Sequence, residues 1–546
     1  MSLPGDNKRV EKDSALESDQ EQSITEDKIE AIADSAQPRK VETAKSHASR
    51  RSRISQLVHE PSNSHKKDNV APTILPESDL DRGFIGWEGQ DDPAMPLNFS
   101  SSRKWVLVAS LSIITFMSPL SSSILSPAIA DLNKEFRNSN ITIGAFPVSI
   151  YLLGYAVGPL FLGPLTEIYG RAPILTISNS FFCVWHVGCA LAPSLDSLIV
   201  FRFLSGVGGS GCLSFGGAII GDLFPVVERG KALSLWTLGP LVGPTLGPLV
   251  GAFITGSIGW RWAPWIVLIP SATFTIIIAL ILPETNYKVI IEKKVNRMRK
   301  ELGRDDLVNY YETSVTMSQV EILKAGLLRP LKLLAFAPII SLLSIYVSFI
   351  YGSVYLMYNS ISPTFEDQYG FSTGVTGVVY LSMGLGYLVG LFLFSHFSDK
   401  TIKRLTKVNN GVYEPEMRLN LIVYFACISP ITFFWYGWTA YKQVHWIVPI
   451  IGLFPLGLGI IGVFIPTQAY IVDAYTSYSA SGLAAFTVLR STIAAFLPLA
   501  GPALFADLGL GWGNSVLGFI AIGLIPIPII IYKFGTTLRK RYPVNL

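Results

Sequence analysis

Charged side chains are scarce in this chain and unevenly placed. Lys, Arg, Asp and Glu make up only 15% of its 546 residues, whereas soluble domains contain about a quarter. The segment up to Lys104 holds 15 of the 43 Lys and Arg, and apolar runs dominate the remainder. A water-soluble fold is therefore excluded for most of the chain, and membrane helices are predicted.

Cysteine is also rare, and the motifs of common enzyme and nucleotide sites are missing. The four cysteines, Cys183, Cys189, Cys212 and Cys427, all lie in apolar stretches, where a buried thiol is ordinary and a disulfide framework has no use. The chain has no GxxxxGK(S/T) phosphate loop, no GxSxG nucleophile motif and no HExxH metal motif. We therefore expect no enzyme activity, no cofactor, no metal and no nucleic-acid partner.

Apolar runs of about 20 residues, long enough to cross a hydrocarbon core of about 30 Å, recur after Lys104. We number them as spans 1 to 12, at 105–129, 142–165, 172–192, 197–221, 231–255, 262–282, 334–359, 373–397, 418–438, 445–470, 480–505 and 513–533. After Lys104, the segments on the side of the N-terminal tail carry 22 Lys and Arg, and those on the other side carry four. Because basic loops stay in the cytoplasm, both termini are predicted to be cytoplasmic.

The spans form two groups of six with matching internal spacing. Two glycine patterns, each ending in an acid, share one spacing: Gly206, Gly208, Gly211 and Asp222 in span 4, and Gly457, Gly459, Gly462 and Asp473 in span 10. The predicted fold is an all-α polytopic membrane protein with two six-helix pseudo-repeat bundles, 101–283 and 334–534. A disordered cytoplasmic tail (1–100), a cytoplasmic central loop (284–333) and a cytoplasmic C-terminal tail (535–546) complete the predicted domains. Parallel repeats of this kind place a substrate cavity between the halves.

Charged residues on the side of the termini are predicted to form gates. The loop GPLTEIYGR contains Gly163, Glu167, Gly170 and Arg171, and Glu167 and Arg171 are four residues apart, where they can pair. Asp222 ends span 4 on the same side, so we expect an acid, base, acid cluster. Asp399, Arg404 and Asp473 are predicted to form the equivalent cluster in the second half.

Span 5 contains the unusual run GPLVGPTLGPLVG, with glycine at every fourth position. The motif residues are Gly239, Pro240, Gly243, Pro244, Gly247 and Pro248. Proline removes a backbone donor, but in a bilayer neighbouring helices can supply the missing bonds, and small residues let helix backbones touch. We predict a bent, leak-tight hinge centred on Gly243 and Gly247. Gly251, rotated by about 80° from Gly243, is expected to face lipid or a cavity.

Two arginines and three tyrosines inside the spans are candidates for the transport path. Arg202 in span 4 and Arg490 in span 11 are costly in a membrane and should face a cavity or a partner. Tyr351, Tyr355 and Tyr358 fall on one face of span 7 and could bind flat or cationic molecules, or belong to an interfacial belt.

One glycosylation sequon is predicted to face outward. It is NIT at Asn140, in the connection between spans 1 and 2.

Three segments together resemble the major facilitator superfamily, and within it the twelve-span fungal drug:proton antiporters. They are GPLTEIYGR, LIVFRFLSGVGG (Leu198 to Gly209) and GPLVGPTLGP, and the resemblance covers residues from about 100 to 540. It implies proton-coupled efflux of small amphipathic molecules, such as drugs, fungicides or endogenous secondary metabolites and toxins, and a role in multidrug resistance. It also implies that Arg202 and Asp222 couple protons to transport and that the span 5 motif seals the outer side.

The expected setting is the plasma membrane, with the vacuolar membrane as an alternative, and the protein is expected to act as a monomer. Alternative functions are a proton-coupled uptake permease for a small nutrient, a polyamine exporter, or a sensor that keeps the fold without transport.

Overall fold

The computed structural model describes residues 76–311 and 318–542. Within these ranges, 11 helical segments are long and apolar enough to cross a membrane. The last of them, Ser479–Arg541, has 63 residues, and this length corresponds to about 95 Å of helix, far more than one crossing. Gly509 breaks it with φ of 70° and ψ of 171°, so it forms spans 11 and 12. The predicted all-α fold with twelve spans is confirmed.

Most spans are longer than the apolar runs that predicted them. The spans are Ser101–Ser123, Ile141–Tyr169, Arg171–Ala190, Leu195–Leu223, Val226–Ile258, Trp262–Ile281, Pro338–Tyr369, Thr373–Val408, Asn420–Ala426 with Ser429–Tyr441, Ile447–Gly452 with Phe454–Ala474, Ser479–Phe496 with the start of Gly501–Leu524, and the rest of that helix with Pro526–Arg541. The other elements are the helices Ile129–Glu135, Tyr287–Leu302 and Gln319–Phe336, the 3₁₀ turns Pro96–Asn98, Ser126–Ala128, Pro415–Leu419, Thr476–Tyr478 and Leu497–Ala500, and the strands Phe84–Ile85 and Val308–Asn309.

Successive spans run in opposite directions, so the start of span 1 and the end of span 12 lie on one side of the bilayer. We call this the terminal side and the opposite side the far side. In the first half, span 2 packs on span 4 and span 1 on span 5; in the second half, span 8 packs on span 10 and span 9 on span 12. Span 5 meets span 8 and span 2 meets span 11 across the two halves. These two equivalent contacts hold the halves together.

The interior is apolar, and so is much of the outer surface of the spans. The largest buried cluster includes residues of both halves, among them Tyr155 and Phe433. Large apolar side chains such as Leu280 and Phe392 remain exposed at 81% and 67%. Such exposure is normal where hydrocarbon replaces water around a transmembrane bundle.

Residues 76–100 fold against the central loop, which corrects the predicted boundary of the disordered tail. Strand Phe84–Ile85 pairs in parallel with Val308–Asn309, and Trp87 is only 1% exposed. Its Nε1 donates to the hydroxyl of Tyr311 at 2.8 Å. The apolar residues of this small core are Ile85, Trp87, Met95, Ile291, Val295 and Leu307. Composition missed the segment because its few apolar residues find their partners about 200 positions later. The predicted disorder of residues 1–75 lies outside the described residues.

Candidate transport path and its two ends

Arg202 is buried inside the first half, with 1% of its surface exposed. Its Nε donates to the carbonyl of Pro147 at 2.9 Å, its Nη1 to Ser121 Oγ at 3.0 Å, and its Nη2 to the carbonyls of Ser121 at 2.8 Å and Ser122 at 3.2 Å. The span 1 helix ends one residue later, so these two carbonyls lack a following helical turn. The guanidinium therefore caps the negative end of the span 1 helix.

A chain of hydrogen bonds continues from Arg202 to His186. The Ser121 hydroxyl lies 2.7 Å from His186 Nε2, and His186 Nδ1 lies 2.9 Å from the carbonyl of Phe182. Because a carbonyl only accepts, Nδ1 carries the hydrogen and Ser121 donates to Nε2. Arg202 also lies 4.4 Å over the ring of Tyr151. No carboxylate pairs with Arg202 in the part of the chain that the structure describes.

Tyr355 and Tyr358 join the two halves toward the far side. The Tyr355 hydroxyl lies 2.8 Å from Ser122 Oγ of span 1, and the Tyr358 hydroxyl lies 3.2 Å from Thr245 Oγ1 of span 5. Both tyrosines are almost fully buried, at 1% and 0% exposure. We call these two hydrogen bonds the far-side seal. In this conformation both tyrosine hydroxyls are used by the seal, and a role of the two tyrosines in substrate binding stays a prediction.

Tyr351 and Arg490 come together in the second half. The guanidinium carbon of Arg490 lies 4.5 Å from the ring centre of Tyr351, 4.9 Å from that of Phe464 and 5.7 Å from that of Phe486. Tyr351 and Phe464 are stacked at 6.4 Å and 18°. Spans 7, 10 and 11 therefore build an aromatic enclosure around one cation.

On the terminal side, Arg171 forms an ion pair with Asp222. The Glu284 Oε1 atom accepts from the backbone N–H groups of Arg171 at 2.8 Å and Asn286 at 2.9 Å. Gly170 has φ of 99°, and a Cβ there would overlap the Glu284 carboxylate. A glycine is therefore required for the chain to turn beneath Glu284.

The acid, base, acid cluster exists, but one predicted member is wrong. Glu167 is exposed and makes no ion pair with Arg171, and Glu284 provides the second acid from 113 residues away. The Tyr287 hydroxyl donates to the carbonyl of Asp222 at 2.8 Å; burial raises the pKa of Tyr287, so it stays neutral. The sequence signal that could have identified Glu284 was the PETNY run directly after span 6. At Gly163, a Cβ would meet no atom within 4 Å.

The second half has a different pair from the one predicted. Asp473 Oδ2 accepts from Arg418 Nε at 2.8 Å, and the Tyr413 hydroxyl donates to the same carboxylate. Asp399 and Arg404 are exposed and form no ion pair with Asp473. The prediction failed because it placed a turn after residue 397, whereas the helix continues to Val408 and carries both residues into solvent.

The span 5 helix continues without a break through its three prolines. Pro248 has no N–H, so the carbonyl of Pro244 loses its helical partner. The Ser123 hydroxyl of span 1 donates to this carbonyl at 2.6 Å. The prediction that a neighbouring helix supplies the missing bond is confirmed at Pro244.

The glycine stripe of span 5 packs directly on the backbone of span 1. An added Cβ would lie 2.9 Å from the Phe116 nitrogen at Gly239 and 3.0 Å from the Leu120 nitrogen at Gly243. In chain order the stripe contacts these span 1 residues: Gly239 and Gly243 contact Phe116, Gly243 and Gly247 contact Leu120, and Gly251 contacts Ile124. The prediction that Gly251 faces lipid or a cavity is wrong. Both rows advance by four residues, and rows with this spacing stay in register when two helices cross at an angle.

Asn140 caps the span 2 helix. Its Oδ1 accepts from the backbone N–H groups of Thr142 at 3.1 Å and Ile143 at 3.2 Å, which is typical of an N-cap asparagine. The side chain is exposed. Its glycosylation stays a prediction.

Two six-span halves, an inter-half seal and two arginines inside the bundle define a multi-pass membrane transporter. The model of the Major Facilitator Superfamily matches residues 111–498, and the chain belongs to this superfamily. It is 43% identical over 464 residues to the MFS transporter cpaT of Aspergillus oryzae, covering 85% of this chain and 93% of that protein. It is 40% identical over 473 residues to the efflux pump radE of Floropilus chiversii, covering 86% and 88%.

Solved structures agree with this assignment at the level of the fold. The xylose transporter XylE from E. coli, in a partially occluded inward-open conformation, matches with a TM-score of 0.58 and 16% identity over 80% of this chain and 98% of that chain. The predicted resemblance to fungal transporters of the superfamily is confirmed, and the protein is a transporter and not an enzyme.

Proposed function

We propose that this transporter exports small amphipathic molecules, either drugs and fungicides or the cell's own secondary metabolites, in exchange for protons by alternating access. The observation that carries the proposal is the span 5 stripe. It packs backbone to backbone on span 1, beside the far-side seal. A contact this close leaves no room for solutes, and an exporter needs such a barrier toward the outside between cycles.

Proton coupling is assigned to Arg202 and Asp222, which act at different depths. Twenty residues separate them on one helix, or about 30 Å. Asp222 is the titratable member, and its protonation would neutralise the carboxylate that holds Arg171. Arg202 keeps its charge at all working pH values. It holds the backbone of Ser122, whose hydroxyl meets Tyr355, so movement of Arg202 would weaken the far-side seal.

The charged clusters of the terminal side are proposed as the inner gate. In the first half the gate comprises Arg171, Asp222 and Glu284, with Gly170 at the turn. In the second half it comprises Arg418 and Asp473. Clusters of this kind bias packed bundles between two arrangements when they break and re-form. The predicted members Glu167, Asp399 and Arg404 are exposed and form no ion pair with these clusters, and Gly163 has no close neighbour, so these four residues are not part of the proposed gate.

The 22 to four excess of Lys and Arg on the terminal side supports cytoplasmic termini. The proposed location is the plasma membrane and the proposed working unit is a monomer.

The test uses the full chain in proteoliposomes with an imposed pH gradient and a panel of labelled compounds. We expect the compounds to cross the membrane in the direction opposite to the protons and to accumulate on one side. A protonophore should abolish this accumulation. Arg202→Ala should abolish it, Arg202→Lys should keep part because the charge survives without the planar fork, and Arg404→Ala should match the parent because Arg404 is exposed and unpaired.

Three outcomes contradict parts of the proposal. Parent-like accumulation by Arg202→Ala removes the coupling role of Arg202. Movement of compounds in the same direction as protons indicates an uptake permease. Preference for polyamines over all other compounds indicates the polyamine alternative.

A further inference from the structure

Arg490 is a membrane-embedded cation that the protein itself leaves without a hydrogen-bond acceptor. Its Nε is buried and has no partner, and no ion pair or hydrogen bond of Arg490 occurs among the described residues. It lies 11 residues into the helix Ser479–Phe496, about 16 Å from the start of that helix. This position is near the middle of a hydrocarbon core of about 30 Å.

The two intramembrane arginines differ in how their donors are used. Arg202 donates four hydrogen bonds to the protein. Among the described residues Arg490 has no hydrogen bond, and it lies over the rings of Tyr351, Phe464 and Phe486. A guanidinium has five N–H groups arranged along its edges, whereas cation–π contacts engage its faces. The rings therefore hold the Arg490 guanidinium in place and leave its donor edges available.

The unused donors define the chemistry of a ligand. The Nε of Arg490 is a buried charged donor without an acceptor, which is costly, and a planar carboxylate accepts from a guanidinium through two parallel hydrogen bonds. The rings of Tyr351, Phe464 and Phe486 surround the guanidinium, so a molecule that reaches its donor edges lies beside aromatic carbon rather than water.

We propose that Arg490 binds the acidic group of the exported molecule, so that the preferred substrates are flat organic anions with a carboxylate or a comparable acidic oxygen group. This inference rests on the proposed export function and adds the substrate class. A cationic substrate is disfavoured because Arg490 already occupies the ring faces to which it would bind, and like charges repel. The same reasoning argues against a polyamine.

The position of Arg490 also connects the ligand to the far-side seal. The ring of Tyr351 lies 5.3 Å from that of Tyr355, and the Tyr355 hydroxyl bonds to Ser122 of the other half. An anion bound at Arg490 would contact the residue next to the seal. Substrate binding and opening toward the far side therefore share one aromatic contact.

The experiment measures binding of three matched probe series to the purified full chain in lipid nanodiscs near neutral pH. The series are benzoic, 2-naphthoic and 1-pyrenecarboxylic acid, their primary amides, and the corresponding arylmethylamines. We expect the acids to bind the parent about tenfold or more tightly than the amides, and the amines to bind most weakly. Arg490→Gln should remove the preference for acids and leave amide binding within about threefold, because the charge-assisted pair is lost.

Two further variants act as controls. Arg490→Lys should keep part of the acid preference, because it retains the charge and loses the planar fork. Arg404→Gln removes an exposed arginine from the terminal side and should leave all affinities unchanged.

Equal binding of acids and amides by the parent, in all three ring sizes, overturns the inference even if Arg490→Gln fails to fold. Equal weakening of acids and amides in Arg490→Gln overturns it as well. Proton-driven export of amides or amines without acids would leave the proposed function standing and remove the inference. Binding of acids that depends on Arg490, without proton-driven export, would support the anion site and contradict the proposed exchange.

Discussion

Replacing Gly251 by alanine tests the contact between spans 1 and 5 at its tightest point. An added Cβ would overlap the carbonyl oxygen of Ile124 and lie 2.9 Å from its carbonyl carbon. Ordinary contact begins near 3.4 Å, so either the helices separate or the end of span 1 shifts. Overpacking typically costs about 1–3 kcal/mol. We expect Gly251→Ala to reach the upper end of this range, because a backbone carbonyl cannot rotate away as a side chain can.

Gly243→Ala and Gly523→Ala are matched controls for this substitution. A Cβ at Gly243 would lie 3.0 Å from the Leu120 nitrogen, and a small adjustment costing about 1 kcal/mol should absorb it. Gly523 has no atom within 4 Å of its Cβ position, so alanine there should be neutral or stabilising by up to about 1 kcal/mol through helix propensity.

The assay is thermal unfolding of the purified protein, combined with export rates at matched surface levels. Gly251→Ala should unfold at the lowest temperature of the three variants and export poorly, because the end of span 1 holds the carbonyls that Arg202 caps. If Gly243→Ala loses as much stability as Gly251→Ala, the distance from the added Cβ to the span 1 backbone does not set the cost, and the reasoning fails.

Two further predictions concern the terminal side. Asp222→Asn leaves Arg171 without a counter-charge. The loss in the free energy of unfolding should fall between the about 0–1 kcal/mol of an exposed pair and the about 3–5 kcal/mol of a buried one. Thermal unfolding measures this loss, and the control Glu167→Gln should match the parent. Trp87→Ala should cost about 3–5 kcal/mol of local stability and expose residues 288–311 to limited proteolysis. Phe84→Ala changes a side chain that is already 43% exposed and should have little effect. Equal cleavage of the two variants would contradict the small core.

The spans, their pairing into halves and the residues of the stripe could be predicted because each follows from short-range properties. Hydrophobicity over about 20 residues decides whether a segment crosses a bilayer. Glycine at every fourth position creates a flat row on any helix.

The errors concern residues whose partners are distant or whose helices end elsewhere than expected. Glu284 replaces Glu167 as a partner of the Arg171 segment from 113 positions away. Arg418 pairs with Asp473 in place of Arg404 because the span 8 helix continues past the predicted turn. The PETNY run after span 6 was a local signal for Glu284, but no local pattern identifies Arg418 as the partner of Asp473.

The sequence by itself determined that this chain spans a membrane twelve times in two related halves, because burial of apolar segments in lipid depends on composition and length alone. Only the tertiary structure decided which polar groups meet inside the bundle. Arg202 caps span 1, Tyr355 joins the halves, and Arg490 keeps unused donors. The physical reason is that a hydrogen bond depends on the positions of two atoms within about 3 Å, and these positions are set by how whole helices pack.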